Sequence, residues 1–202
     1  MTHYIDLSHT FTAQMPVYPG DSLPELTKTD HENHTNFHVK TGMHVGTHID
    51  APLHMIKNGT SLSDIPVDHF FGKGHLIDAR NKPITAGLLE NHTIHPGDII
   101  LIHTGFSTHF RQPEYFENYP EITEEFALKL VDLKVKIVGM DTPSPDREPY
   151  KIHKILLGNN ILIIENLTNL EQLENKEFEI IALPPKFETD ASPLRVVAKV
   201  KK

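Results

Sequence analysis

The order of apolar and polar residues predicts a chain rich in β-strands. Residues 37–43 alternate apolar and polar side chains, which is typical of a strand with one buried face. Residues 99–102 are consecutive apolar residues between two glycines, and this run predicts a strand buried on both faces. Shorter apolar or alternating stretches predict further strands at 4–7, 75–78, 135–140, 160–164, 178–183 and 194–200.

Helices are predicted mainly in the second half of the chain. Thr123 precedes a segment with apolar residues at helical spacing, so a helix is expected to begin at this cap. A short helix over 152–157 is expected to end at Gly158. Weaker helical signals lie at 168–173 and at 85–90 with Thr85 as cap, and 67–71 is expected to be either a short helical or an irregular piece. Strands that alternate with helices after a strand-rich first half favour an α/β fold with a mixed sheet.

Length and composition indicate one ordinary folded domain. The chain has 202 residues, of which 38% are apolar and 23% charged, so we expect a single domain over 1–202. No apolar run approaches the roughly 20 residues of a membrane-spanning helix, and the first residues carry no secretory signal. We therefore expect a cytoplasmic protein with no membrane partner.

The charge and the lack of cysteine narrow the possible chemistry. The chain has 27 Asp and Glu against 19 Lys and Arg, which argues against a nucleic-acid partner because phosphate binding needs a basic surface. A chain without cysteine has no disulfide, no thiolate ligand and no cysteine nucleophile. Any metal site must therefore use His, Asp and Glu.

The most distinctive stretch is 44–54, in which histidines and an aspartate are crowded together. His44, His48, Asp50 and His54 offer the nitrogen and oxygen ligands that Zn²⁺ accepts. In one helix Asp50 would point away from the first two histidines, and in one straight strand His44 and His54 would lie roughly 33 Å apart. We therefore predict a turn-rich loop, with a glycine and a proline that help to bring the ligands to one point.

The same stretch resembles the signature of a known family. The pattern His-x-Gly-Thr-His-x-Asp-x-Pro-x-His is similar to that of the bacterial kynurenine formamidase and cyclase family of metal-dependent hydrolases. Segments that resemble other parts of this family follow in family order, at 16–21, 139–144, 182–187 and 190–193. The resemblance implies a single-domain, layered β/β/α fold and a homo-oligomer, either a homodimer or a homotetramer.

The resemblance also implies roles for the candidate residues. His44, His48 and Asp50 would bind one divalent ion, and Asp50 could bridge to a second ion held by His153 and Glu165. Zinc is the first expectation and manganese the alternative, since His and carboxylate ligands accept both.

The resemblance gives the third histidine of the stretch, His54, an acid/base role. The residues alone leave open that His54 is a further ligand.

Two further residues are left with alternatives. Tyr18 stands where similar proteins carry a tryptophan that lines the substrate pocket, and this chain has no tryptophan. A tyrosine can still stack on an aromatic substrate, but it can equally be an ordinary partly buried residue. Asp141, at the end of a predicted strand, is either a site residue or a turn-forming aspartate. The segment 146–150 looks shorter than in the formamidases, so the wall of the pocket is expected to differ.

Three functions stay open on this evidence. The resemblance favours a metal-dependent amide hydrolase that uses activated water to convert N-formyl-L-kynurenine to L-kynurenine and formate. The same site could instead act on a cyclic amide such as isatin, or catalyse a cyclisation. The third possibility is a metal-binding protein without turnover, in which the ligands serve structure or sensing.

Overall fold

One mixed sheet dominates the molecule. The structure is a computed structural model that describes residues 2–201. Its strands are β1 (His3–Asp6), β2 (Glu25–Asp30), β3 (Thr35–Lys40), β4 (His48–Asp50), β5 (Phe71–Asp78), β6 (Ile99–His103), β7 (Ile137–Met140), β8 (Leu162–Glu165), β9 (Phe178–Ile181), β10 (Ala191–Pro193) and β11 (Val197–Val200). Within the described residues, nine of these strands form one sheet in the order β1-β11-β9-β5-β6-β7-β8-β4-β10. Strands β5 to β8 run parallel and the other neighbours antiparallel.

The central strands are buried on both faces because the sheet curls and helices cover its outer side. On β6, Ile99 and Leu101 pack in a core that also contains residues from near both ends of the sheet, such as Ile5 and Ile49. The alternate residues Ile100 and Ile102 pack instead against the helices, in a core that includes Phe126 and Leu156. Two burying layers explain the uninterrupted apolar run, and the predicted layered α/β fold is confirmed.

The two α-helices lie where the apolar pattern predicts them. Helix α1 spans Glu124–Asp132, and the Thr123 hydroxyl accepts a hydrogen bond from the Phe126 amide as its cap. Helix α2 spans Lys151–Gly158. The expected cap at Thr85 is wrong, because Ala86–Leu89 form only a 3-10 turn and the Thr85 side chain makes no capping bond. Between Thr2 and Lys201, no helix is long and apolar enough to cross a membrane.

The predicted strand over 37–43 is wrong in its end and in its role. Strand β3 ends at Lys40 and, within residues 2–201, pairs only with β2, a hairpin that the pattern does not predict. His44 lies in the loop over 41–47 that follows. Phe37 and Val39 are 60% and 58% exposed, so the alternation here does not mark a buried face. The first histidine is therefore carried by a loop and not by a strand.

The stretch 44–54 is also not a loop throughout. Strand β4 lies inside the sheet between β8 and β10, and Pro52–His54 form a 3-10 turn directly after it. Since successive side chains of a strand point to opposite faces, Ile49 enters the inner core while His48 and Asp50 share the other face. The fold-back that the spacing requires takes place at the two ends of a three-residue strand.

Candidate metal centre

Two neighbouring strands bring three predicted ligands together. Strand β4 pairs with β8 so that His48 lies directly opposite Glu165, and Asp50 follows on the same face of β4. Nε2 of His48 lies 3.2 Å from Oε2 of Glu165 and 3.5 Å from Oδ1 of Asp50. All three residues are buried. The strand pairing thus places two carboxylates around one imidazole nitrogen.

A loop and a helix supply the other two predicted ligands. Nδ1 of His44, in the loop before β4, lies 2.9 Å from Oδ1 of Asp50. Nε2 of His153, on α2, lies 3.4 Å from Oε1 of Glu165 and 4.0 Å from Oδ2 of Asp50. All five predicted ligands therefore converge, with the two carboxylates between the three histidines.

The buried polar atoms of this cluster fit a divalent cation. Nε2 of His48 and both carboxylate oxygens of Asp50 are buried, and the short contacts that they make with neighbouring nitrogens and oxygens among residues 2–201 do not have hydrogen-bond geometry. Such atoms are costly to bury unpaired, and a cation coordinated between them would satisfy them. Imidazole nitrogen and carboxylate oxygen are ligands that suit zinc and manganese. The donor set therefore indicates a divalent metal centre.

The backbone at Gly46 orients His48. Nδ1 of His48 lies 2.8 Å from the Gly46 carbonyl oxygen, which can only accept, so Nδ1 carries the proton and Nε2 faces the carboxylates. Gly46 has φ of +66°, and a Cβ at this position would lie 2.5 Å from Cε of Met15. The left-handed backbone conformation therefore favours glycine here, and any larger residue would also have to displace the end of the Met15 side chain.

Asp146 orients His153 in a similar way. One of its oxygens accepts the Ile152 amide at 2.6 Å and the other lies 2.6 Å from Nδ1 of His153. Asp146 is buried, so it anchors both the first turn of α2 and the ring that the helix carries. We did not predict this role from the sequence, where the only signal is a polar residue shortly before a predicted helix.

His54 lies next to the cluster on its more exposed side. Its Nδ1 lies 3.2 Å from Oδ2 of Asp190, and the same oxygen lies 3.0 Å from Nε2 of His44. His54, Asp50 and His153 also have ligand atoms within 4.8 Å of one another. The geometry is thus compatible with both roles considered for His54, acid/base group or ligand. The sequence points to 190–193 as a family-like segment but gives no role to Asp190.

Carboxylates and burial set the proton affinities of the histidines. Burial lowers the pKa of His44, but the surrounding carboxylates, Asp50 foremost, outweigh it and raise that pKa to about 9. Burial also opposes protonation of His153, whose carboxylate partners nevertheless raise its pKa to about 10. For His54 burial dominates and the pKa is lowered. His54 is therefore a neutral base at neutral pH, whereas His44 and His153 hold protons that a metal would displace.

A cavity of ≈ 270 Å³ opens beside the cluster and has an aromatic wall. Tyr18 lies on this wall, and the ring of Phe116 meets it edge-to-face at 5.7 Å. Tyr150 and Asp21 also line the cavity. None of the lining residues within the described part of the chain is Lys or Arg. The cavity can therefore hold a small, partly aromatic molecule next to the metal ligands.

Asp141 serves the fold rather than the site. Its oxygens accept hydrogen bonds from the amide and hydroxyl of Thr104 and from the amide of Gly105, at 2.7 to 2.8 Å. The side chain is fully buried and does not line the cavity. Of the two predicted alternatives, a site residue or a turn-forming aspartate, the second agrees better with the structure. Asp141 nevertheless fixes the turn after the neighbouring strand β6 and not the turn after its own strand, β7.

Sequence comparison finds relatives along the whole chain. The profile of the family described as "Putative cyclase" matches residues 5–147. The chain is 36% identical to an uncharacterized protein of Methanocaldococcus jannaschii, over 90% of this chain and 91% of that protein. It is 32% identical to a kynurenine formamidase of Delftia acidovorans, over 96% of each chain.

Two solved structures share the fold over nearly their full length. A protein described as a potential metal-dependent hydrolase with cyclase activity superposes with a TM-score of 0.85 at 27% identity, covering 100% of both chains. Isatin hydrolase A from Labrenzia aggregata superposes with a TM-score of 0.89 at 25% identity, covering 100% of this chain and 94% of that chain.

Proposed function

This chain belongs to the family described as "Putative cyclase", and from that membership we propose that it is a divalent-metal-dependent hydrolase of a small amide. The observation that carries the proposal is the convergence of three histidines and two carboxylates, side chains of the types that bind metals, beside a cavity with an aromatic wall. Relatives of similar length that are named kynurenine formamidase and metal-dependent hydrolase support the same reaction class.

In this proposal the five side chains hold two ions, in the arrangement that the family resemblance implies. His44, His48 and Asp50 would hold one ion, and Asp50 would be shared with a second ion held by His153 and Glu165. When bound, such a cation polarises a carbonyl group and lowers the pKa of water, which makes a nucleophile available at neutral pH. Zinc is our first candidate and manganese the second.

His54 is the group that moves the proton in this proposal. Because its Nδ1 is engaged by Asp190, Nε2 is the nitrogen left to the cavity that the ring lines. Nε2 takes a proton from the attacking water, whose oxygen bonds to the carbonyl carbon. When the carbon–nitrogen bond breaks, His54 gives this proton to the leaving nitrogen, so the products are an amine and a carboxylic acid, which then releases its own proton to solvent and becomes a carboxylate. Acid/base catalysis of this kind is worth about 10²- to 10⁴-fold in rate.

The substrate we propose first is N-formyl-L-kynurenine, hydrolysed to L-kynurenine and formate. Tyr18, Phe116 and Tyr150 offer an aromatic wall for its ring. Asp21, which also lines the cavity, offers a negative charge for its ammonium group. The name of the Delftia acidovorans relative supports this choice.

One observation favours a second candidate, a neutral cyclic amide such as isatin. N-formyl-L-kynurenine carries a carboxylate, and the cavity lining that the structure describes provides no Lys or Arg to pair with it. Isatin has no such group, and an isatin hydrolase shares this fold. Both substrates require the same attack of water on an amide carbonyl.

The test compares both amides on protein loaded with zinc or with manganese. Formate release from N-formyl-L-kynurenine and ring opening of isatin are measured for the wild type, for His54→Ala, and for His38→Ala as a control on the exposed hairpin. We expect His54→Ala to lower kcat by about 100-fold or more with metal content unchanged, and His38→Ala to behave as wild type.

Two results would contradict the proposal. Loss of a metal ion in His54→Ala would make His54 a ligand instead of the proton-transfer group. Absence of turnover with either amide, in protein that is fully loaded, would leave a metal-binding protein without catalysis.

A further inference from the structure

We propose that Asp190 is a positioning residue that orients two histidines of the metal centre with a single oxygen. Its Oδ2 lies 3.0 Å from Nε2 of His44 and 3.2 Å from Nδ1 of His54. This inference rests on the proposed function for its metal ligand His44 and its proton-transfer group His54, but the orientation of the two rings can be measured without any substrate.

The two contacts decide which ring nitrogens face the centre. An imidazole nitrogen that donates to a carboxylate keeps its proton, so the other nitrogen of a neutral ring carries the lone pair. Asp190 thereby leaves Nδ1 of His44 to face Asp50, 2.9 Å away, and leaves Nε2 of His54 to the cavity. These are the two nitrogens that metal binding and proton transfer require.

The sheet holds Asp190 in place from the same strand pair that presents Asp50. Strand β10 begins with Ala191, which lies opposite Asp50 in the antiparallel register. The Ala51 amide donates to the Asp190 carbonyl oxygen at 2.8 Å, immediately beside this pair. The backbone of Asp190 therefore cannot shift without disturbing the strand that carries the ligands.

Asp190 is more exposed to solvent than the proposed ligand Asp50. Its side chain is 38% exposed, whereas that of Asp50 is 1% exposed. Partly exposed ion pairs contribute little to folding, so loss of Asp190 should act on the centre more than on stability. The ligand atoms of Asp190, His44 and His54 also lie within 4.8 Å of one another. Direct binding of a cation by Asp190 is therefore the alternative that an experiment must separate from positioning.

Zinc binding provides the first test and needs no substrate. Zinc affinity and the number of zinc ions per chain are measured by competition with a chelator in wild type, Asp190→Asn and Glu188→Gln. Glu188 is a nearby exposed carboxylate, so its variant changes the charge equally without touching the histidines. We expect Asp190→Asn to lower zinc affinity about tenfold or more with the stoichiometry unchanged, and Glu188→Gln to match wild type.

The same measurement can overturn the proposal in two ways. Unchanged zinc affinity in Asp190→Asn would show that the carboxylate does not orient His44. Loss of one zinc ion per chain would make Asp190 a ligand. If Asp190→Asn fails to fold, as judged by circular dichroism, Asp190→Glu replaces it and should bind zinc more weakly than wild type, because the longer side chain moves the oxygen.

A second test observes the rings directly. Nitrogen-15 NMR of the zinc-loaded protein reports which ring nitrogen of each histidine carries the proton. We expect the Nδ1–H form of His54 in wild type and in Glu188→Gln, and a mixture of the two neutral forms in Asp190→Asn. A His54 spectrum that is identical in all three proteins would refute the positioning role.

Kinetics separates this inference from the proposed function. On whichever amide is hydrolysed, we expect Asp190→Asn to lower kcat about 10- to 100-fold with KM little changed. If no amide is hydrolysed, the proposed function fails, while zinc affinity and NMR still decide whether Asp190 orients the rings. If hydrolysis is found and Asp190→Asn matches Glu188→Gln in every measurement, only the role of Asp190 is refuted.

Discussion

Replacement of Gly46 by alanine should destabilise the protein for two reasons, a strained backbone and a clash with Met15. At φ of +66° an alanine pays about 1–2 kcal/mol for the left-handed backbone. Its Cβ would lie 2.5 Å from Cε and 3.0 Å from Sδ of Met15, and because these atoms end a flexible side chain that can shift, the overpacking costs about 1 kcal/mol, the low end of the usual range. The sum is a loss of about 2–3 kcal/mol in the free energy of unfolding.

Urea denaturation in the presence of EDTA measures the two parts separately. In a Met15→Ala background the clash is absent, so Gly46→Ala should cost only the backbone part, about 1–2 kcal/mol. The matched control is Gly42→Ala in the same loop, whose Cβ would have only an ordinary contact, 3.7 Å from Val45, and which should change stability by less than about 0.5 kcal/mol.

Gly46→Ala should also affect the metal centre, because the Gly46 carbonyl oxygen accepts a hydrogen bond from Nδ1 of His48. We expect Gly46→Ala to lower zinc affinity and Gly42→Ala to leave it at the wild-type value. An equal cost of Gly46→Ala with and without Met15 would refute the packing part of this reasoning. A cost below about 0.5 kcal/mol would refute both parts.

Three further predictions follow from the centre and its surroundings. Atomic absorption should find two zinc ions per chain in wild type and one in His153→Ala; an unchanged count would remove His153 from the centre. In EDTA, protonated His44 and His153 should contribute their full stability below pH 6.5 and lose it as the pH rises through their pKa values of about 9 and about 10. Thermal melting should show Tm falling over this pH range, and added zinc should raise Tm most at the highest pH, where it no longer competes with protons. Asp141→Asn should lower the free energy of unfolding by about 3 kcal/mol in urea, since three partly buried donors on Thr104 and Gly105 lose a charged acceptor, and zinc stoichiometry should stay unchanged.

The parts of the fold that the sequence predicts best are those in which local pattern and burial agree. The run at 99–102 forms β6 because both of its faces are covered, and α1 begins at the Thr123 cap because periodicity and capping point to the same residue. The hairpin is the opposite case. Phe37 and Val39 alternate with polar residues, yet they stay exposed, and no local rule shows whether another element will cover such a face.

The predicted ligands are recognisable because each is part of a short pattern or of a family-like spacing. Their mutual distances are not predictable in this way, since His48 and Glu165 are brought together by the pairing of β4 with β8. The orienting carboxylates are harder still to predict. Asp146 and Asp190 make hydrogen bonds to histidine rings at other positions in the chain. The sequence around an isolated aspartate does not show which histidine it will contact.

The late position of β10 in the chain has a consequence for incomplete copies of this protein. β10 pairs along β4, so a copy that stops before residue 191 would expose the hydrogen-bonding groups of β4 along an open sheet edge. Open edges recruit strands from other molecules, and premature termination should therefore produce an aggregating species as well as an inactive one. When β10 is present it gives this edge of the sheet little capacity for further pairing, because β10 has only three residues and its last is Pro193, which has no amide hydrogen to donate.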